Sequence, residues 1–424
     1  HCLLRRQRQM CIRDRKVDEA RNAHITKVML DRATVSRMDA IARRSLMDYM
    51  AMPSDARHGA TTIDGMDQAK FRVPRWKFAK ISKDLEGLWR PSLHVHGTIT
   101  HGCCEAFFIC EADLRKDANL QCTCMARTLQ LVSLTTLERG IPMPTKWRFD
   151  FDNTSAEGKN ATCFTWFSWL VGEDKFEVID AESCTVGHTH NIQDQRFATA
   201  ATILADATRL ETPLAFQEQL QSRIWPLGDC VKESVEIFHA SYDWKDWLAA
   251  LEVNWQGHTS TKYTKLRKEE CVHVFRFMKR KHLQIHEEHL EDMIETEFSE
   301  PPSPEDVIVL FKHYISDSQI CGVPVVCLPA SRLTRLRGSV PKIATRHTLS
   351  ETFLNEFEKT ADKISEEPWV MTSAANYLRE LAQDNRSGTR GCGKLPPNID
   401  WVWSKQTELE IVPENRIVAS SLLQ

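Results

Sequence analysis

Along the first half of the chain, apolar positions switch repeatedly between helical and strand spacing. Val35, Met38, Ile41, Ala42, Leu46 and Tyr49 recur near a period of 3.6, which predicts an amphipathic helix over residues 31–50, ended by Pro53. A short β-prone run covers 60–64. Leu93, Val95, Gly97 and Ile99 alternate through a strand at 92–100, and Phe107-Phe108-Ile109 sits in another at 105–111. Residues 122–138 read as a helix with Met125, Leu129, Val132 and Leu137 on one side and Gly140 closing it. A strand at 146–152, an aromatic-rich helix at 162–171, a strand at 176–186 and a helix from 192 to 204 follow. The order is strand, strand, strand, helix, strand, helix, strand, helix. It predicts an α/β domain, a mixed sheet flanked by helices.

After residue 210 the pattern changes. Helices are expected at 213–225, from 242, at 283–297, at 307–314, at 350–364 and at 373–382. Residues 271–277 alternate like an exposed or edge strand, and 323–328 read as a short strand. Pro301-Pro302-Ser303-Pro304 marks a linker over 299–305. The expected organisation is an N-terminal helical segment at 16–55, a core at 56–210 and a helical extension with an edge strand at 211–298. Past the linker comes a small α/β or helical region at 306–424 with a mobile tail. Taken together, 211–424 is expected to form a mostly helical C-terminal lobe. Residues 1–15 are set aside, because Met10-Cys11-Ile12-Arg13-Asp14-Arg15 is the translation expected of a sequencing-library adapter.

Composition narrows the class. The chain has 424 residues, 42% of them hydrophobic and 27% charged, as in ordinary globular proteins. Setting 1–15 aside removes five Arg and one Asp, which moves the formal charge from −3 to about −7. Whole-chain charge therefore does not mark a nucleic-acid binder. Basic runs at 262–282 and 332–347 read first as solvated faces and second as phosphate tracks. No window has the roughly 18 uncharged apolar residues of a membrane span. The fourteen cysteines follow no secreted-domain framework, which points to a reducing, intracellular setting.

The candidate chemistry lies where strand-like runs stop. Asp64 or Asp67, then Asp152, then Asp194 put carboxylates at the ends of the first, fourth and fifth strands, the last on a helix's first turn. Phosphodiester chemistry with two divalent ions needs such carboxylates, and hard ions prefer oxygen ligands. These four aspartates are the candidate catalytic and metal-binding residues, with two Mg2+ or Mn2+ ions as cofactor. Asp150 shares a strand face with Asp152 and is a candidate auxiliary. Lys159 would contact a phosphate or be solvated. The plain alternative makes Asp152-Asn153 a turn and Asp194 a surface acid.

Asp-Asn-Thr-x-x-Glu-x-Lys-Asn at 152–160 and Gly-His-Thr-His-x-x-x-Asp-Gln-x-Phe at 187–197 resemble a widespread eukaryotic domain family of unknown function. Asp64-Gly65-Met66-Asp67-Gln68-Ala69-Lys70, then Pro74-Arg75, resemble it too, and the likeness covers about 55–280. The family looks transposon-derived, with an RNase H-like core similar to DDE-type transposases and integrases. The resemblance implies an RNase H-like fold, DNA as partner, a nuclear location and a homo-oligomer. It adds Asn153, Glu157, Lys159, Asn160, His188, His190 and Gln195 as auxiliary site residues. Gly158 stands where Asn is usual, and Asn191-Ile192-Gln193 replaces a more acidic stretch.

Three rival readings remain. A domesticated, catalytically silent nucleic-acid or protein-binding module would keep only the fold. Gly187-His188-Thr189-His190 is similar to the closing segment of calcineurin-like metallophosphatases, but that family's other motifs are missing. His94, His96, His101, Cys103, Cys104, Cys110, Cys122 and Cys124 are soft-metal ligand types without a zinc-module spacing, so core packing explains them better.

Overall fold

The computed structural model describes residues 2–66, 72–77, 87–151, 159–183, 192–228, 230–253, 272–283, 294, 296, 298–367, 370–389 and 396–403. Among them, nine strands form one mixed sheet: β1 (Gly59–Gly65), β3 (His94–Thr100), β4 (Cys104–Cys110), β5 (Lys146–Phe151), β6 (Val178–Glu182), β8 (Lys232–Phe238), β9 (Val274–Lys279), β10 (Val307–Lys312) and β11 (Val325–Leu328). Their spatial order is β11-β10-β9-β6-β5-β1-β3-β4-β8. β2 (Arg75–Trp76) and β7 (Arg209–Leu210) pair separately. β1, β3 and β4 form an antiparallel meander, and β5 and β6 then add in parallel to β1.

Alternation along β5 sends Trp147, Phe149 and Phe151 to one face and Arg148 and Asp150 to the other. On the first face lie α2 (Ala118–Glu138) and α3 (Ala161–Gly172), and their aromatic and aliphatic side chains complete the larger core. The Phe149 and Phe167 rings pack with centroids 5.2 Å apart, tilted by 33°. Each such side chain, fully buried, contributes about 1.5–3 kcal/mol. On the opposite face, α4 (Ile192–Asp206), α5 (Pro213–Gln221) and the hairpin of α7 (Glu351–Ser365) and α8 (Thr372–Ser387) cover Val95, Phe107, Ile109 and Val235. α1 (Cys2–Met47) packs along β1, with Ala42 and Leu46 buried one turn apart. α6 (Trp244–Ala249) and α9 (Asp400–Trp403) close the aromatic side, where Trp244 and Trp403 stack 5.7 Å apart.

The region after residue 210 departs from expectation. It supplies four strands to the main sheet, so the mostly helical C-terminal lobe is corrected. Residues 307–314, expected as a helix, begin with β10, and the chain crosses 299–305 only to rejoin the same sheet. An uninterrupted apolar run such as Val307-Ile308-Val309-Leu310-Phe311 has no period, and only burial on both faces decides it as strand. β9 is interior, between β6 and β10, rather than an edge. β8 had no sequence signal. It is an edge strand whose exposed side carries charge, and Arg127 of α2 forks onto its Glu236 at 2.8–3.2 Å. The expected helix at 283–297 and the glycine-rich 390–395 lie largely or wholly outside the described residues. Among those described, no helix is long and apolar enough to cross a membrane.

Candidate active site

Asp64 is the penultimate residue of β1, half-buried, and its Oδ1 accepts a hydrogen bond from Gly65 N at 2.7 Å. Across the antiparallel pair it faces Gly97. The last described pairs of β1 with β5 are Thr62↔Asp150 and Ile63↔Phe151, and in sequence Asp64 and Asp152 are each the next residue on. Asp67, Asp152, Asn153, Glu157, His188 and His190 lie outside the described residues.

α4 brings Asp194 to this end of the sheet. Gln193, Phe197, Ala200 and Leu204 form its buried stripe at helical spacing, and the stripe lies on β1 and β3. The seat exists because Gly97 has no side chain. A Cβ there would collide with the Gln193 amide nitrogen and stand 2.7 Å from Phe197 Cε1. Asp194 therefore rides in the first turn, beside the residue that covers Asp64's cross-strand neighbour. A carboxylate in a first turn is also favoured by the helix dipole. Arg196 pins the same turn to β4 through Glu105 and donates to Trp225 O at 2.6 Å.

Three of the expected auxiliaries, Gln195, Lys159 and Asn160, lie among the described residues. Gln195 is exposed on α4, and the sheet-facing glutamine is Gln193, which the motif-based reading passed over. Its signal was a polar residue on an otherwise apolar helical stripe. Lys159 is buried, donates to Val272 O and lies over the Phe275 ring. Asn160 caps α3, its Oδ1 accepting from Cys163 N at 3.0 Å.

Asp150 is buried, and burial raises its pKa against the opposing pull of Arg148. Facing it across β5–β6 is Glu182, which burial pushes up to about 7; Arg148 opposes that shift, and Asp180 and Asp150 add to it. Arg148 bridges Glu182 at 3.3 Å to Asp39 of α1. Asp150 thus belongs to a buried charge network that joins α1 to the sheet.

The histidine and cysteine set packs as ordinary core. His96 is buried with neither ring nitrogen hydrogen-bonded among the described residues, and burial lowers its pKa to about 3. The Cys122 and Cys163 thiols meet at 3.7 Å between α2 and α3. Among the described residues no group of three or more His, Cys, Asp or Glu is placed to hold a metal. Trp244 is buried and donates to Thr123 Oγ1 at 3.1 Å, so it is a core residue.

A family model described as a domain of unknown function (DUF7869) matches residues 83–284. The match runs from before β3 to just past β9, so it includes Asp152 and Asp194 and leaves Asp64 outside. No curated protein and no solved structure matches the chain.

Proposed function

We propose that the chain is a transposase-derived protein with an RNase H-like core, cleaving or transferring DNA strands through a DDE/D-type carboxylate site. The observation that carries this reading is the seat of α4. A helix bearing Asp194 in its first turn lies on Gly97, directly beside Asp64. The antiparallel β4-β3-β1 meander, extended in parallel by β5 and β6, is similar to the sheet of RNase H-like domains.

The donor chemistry fits a hard divalent ion. Asp64 and Asp194 supply carboxylate oxygens, and next to them the buried Gln193 amide has no partner among the described residues. Asp152, with Asp64 or Asp67, and Asp194 would hold two Mg2+ or Mn2+ ions, which supply activation of the attacking oxygen and neutralisation of phosphate charge. The chain's part is to hold Asp64 near a strand end and Asp194 on a pinned helix. DNA as substrate, a nuclear location and a multimeric state belong to the same reading.

Manganese calorimetry on the chain and on Asp152→Ala/Asp194→Ala tests it, followed by nicking of supercoiled DNA. About two ions should bind and be lost in the variant. A folded chain that binds none would overturn the enzyme reading in favour of a silent module.

A further inference from the structure

Gln193 is fully buried, and neither its Oε1 nor its Nε2 has a hydrogen-bond partner among the described residues. Leaving a buried amide unpaired costs about 1–3 kcal/mol. A methionine or leucine on the same stripe would avoid that cost while filling the same space. The amide is also not stranded at random. It lies on Gly97, the cross-strand partner of Asp64, one residue before Asp194. Phe197, one turn on, occupies the same stripe with an apolar ring, so the position as such does not demand polarity.

We propose that Gln193 is a positioning residue of the site, its amide N–H donating to the Asp64 carboxylate when a divalent ion is held there. This rests on the metal-site reading above and goes further by assigning a role to a residue outside the expected carboxylate set. One carboxylate oxygen would take the amide N–H while the other faces the ion, and the amide gains the partner it lacks among the described residues. Hydrogen bonds of this outer kind typically change metal affinity by about 10–100-fold.

The test compares Mn2+ affinity and thermal stability in the full chain, Gln193→Met, Asp64→Ala and the double variant. Gln193→Met should melt at or above the wild-type temperature without metal, because it removes an unpaired amide, yet bind Mn2+ at least about 10-fold more weakly. In the Asp64→Ala background, which has no side-chain acceptor, the same substitution should have no further effect on affinity. Unchanged affinity in Gln193→Met, or an equal loss with and without Asp64, overturns the positioning role while leaving the metal site standing. Absence of Mn2+ binding by the wild-type chain overturns both.

Discussion

The guanidinium of Arg196 grips both carboxylate oxygens of Glu105, Nε at 2.6 Å and Nη2 at 2.7 Å, tying the first turn of α4 to β4. Glu105 is 1% exposed, and burial raises its pKa while Arg196 holds it down. The pair is therefore a buried fork rather than a surface bridge, and its loss has direct consequences for where Asp194 sits.

Arg196→Met strands the buried Glu105 charge and should cost about 3–5 kcal/mol, read by urea denaturation. Glu105→Leu/Arg196→Met should recover most of that loss, since both polar partners leave together. If the single and double variants are equally unstable, the cost lies in packing and not in the unpaired charge.

Gly97→Ala forces a methyl group into Gln193 and Phe197. Overpacking of this kind costs about 1–3 kcal/mol, and the displaced first turn should weaken Mn2+ binding as well. Shortening the neighbour in Gly97→Ala/Gln193→Ala should restore part of the stability. A Gly97→Ala variant within about 0.5 kcal/mol of wild type would show that α4 does not need this close seat.

Stability should depend on pH from two sides. Glu182 is raised from 4.5 to about 7 in the fold. Between those values the unfolded chain has released this proton and the folded one has kept it, so stability falls as pH rises through the window. His96 is depressed from 6.5 to about 3. Below 6.5 the unfolded chain takes up a proton that the fold refuses, so stability falls as pH drops toward 3. Urea midpoints from pH 4 to 8 should show Glu182→Gln reducing the loss on the alkaline side and His96→Leu reducing it on the acid side. Slopes unchanged in both variants would mean that other groups set the dependence.

Elements with a clear period were legible without coordinates. The strands β3 and β5 follow from alternation and the helix α2 from 3.6-residue spacing, because a side chain's face is fixed by local geometry, while β1, β4, β6, α3 and α4 were read from short apolar or aromatic runs between polar breaks. The first-turn position of Asp194 and the strand-end position of Asp64 came with them. Elements without a period were not legible. β10 is apolar throughout and β8 is half charged, so neither says locally what covers it.

The sequence by itself determined the alternating faces, the order of the central elements, Asp64 near a strand end and Asp194 in a helix's first turn, all consequences of short-range spacing. Only the tertiary structure decided that β9, β10 and β11 continue the same sheet, that Lys159 is buried on Val272 O, and that Gln193 rather than Gln195 lies against the sheet at Gly97. Those outcomes depend on which distant surface arrives to exclude water, and the helical phase of α4 is settled by the missing side chain at Gly97, 96 residues upstream of Gln193 in the chain.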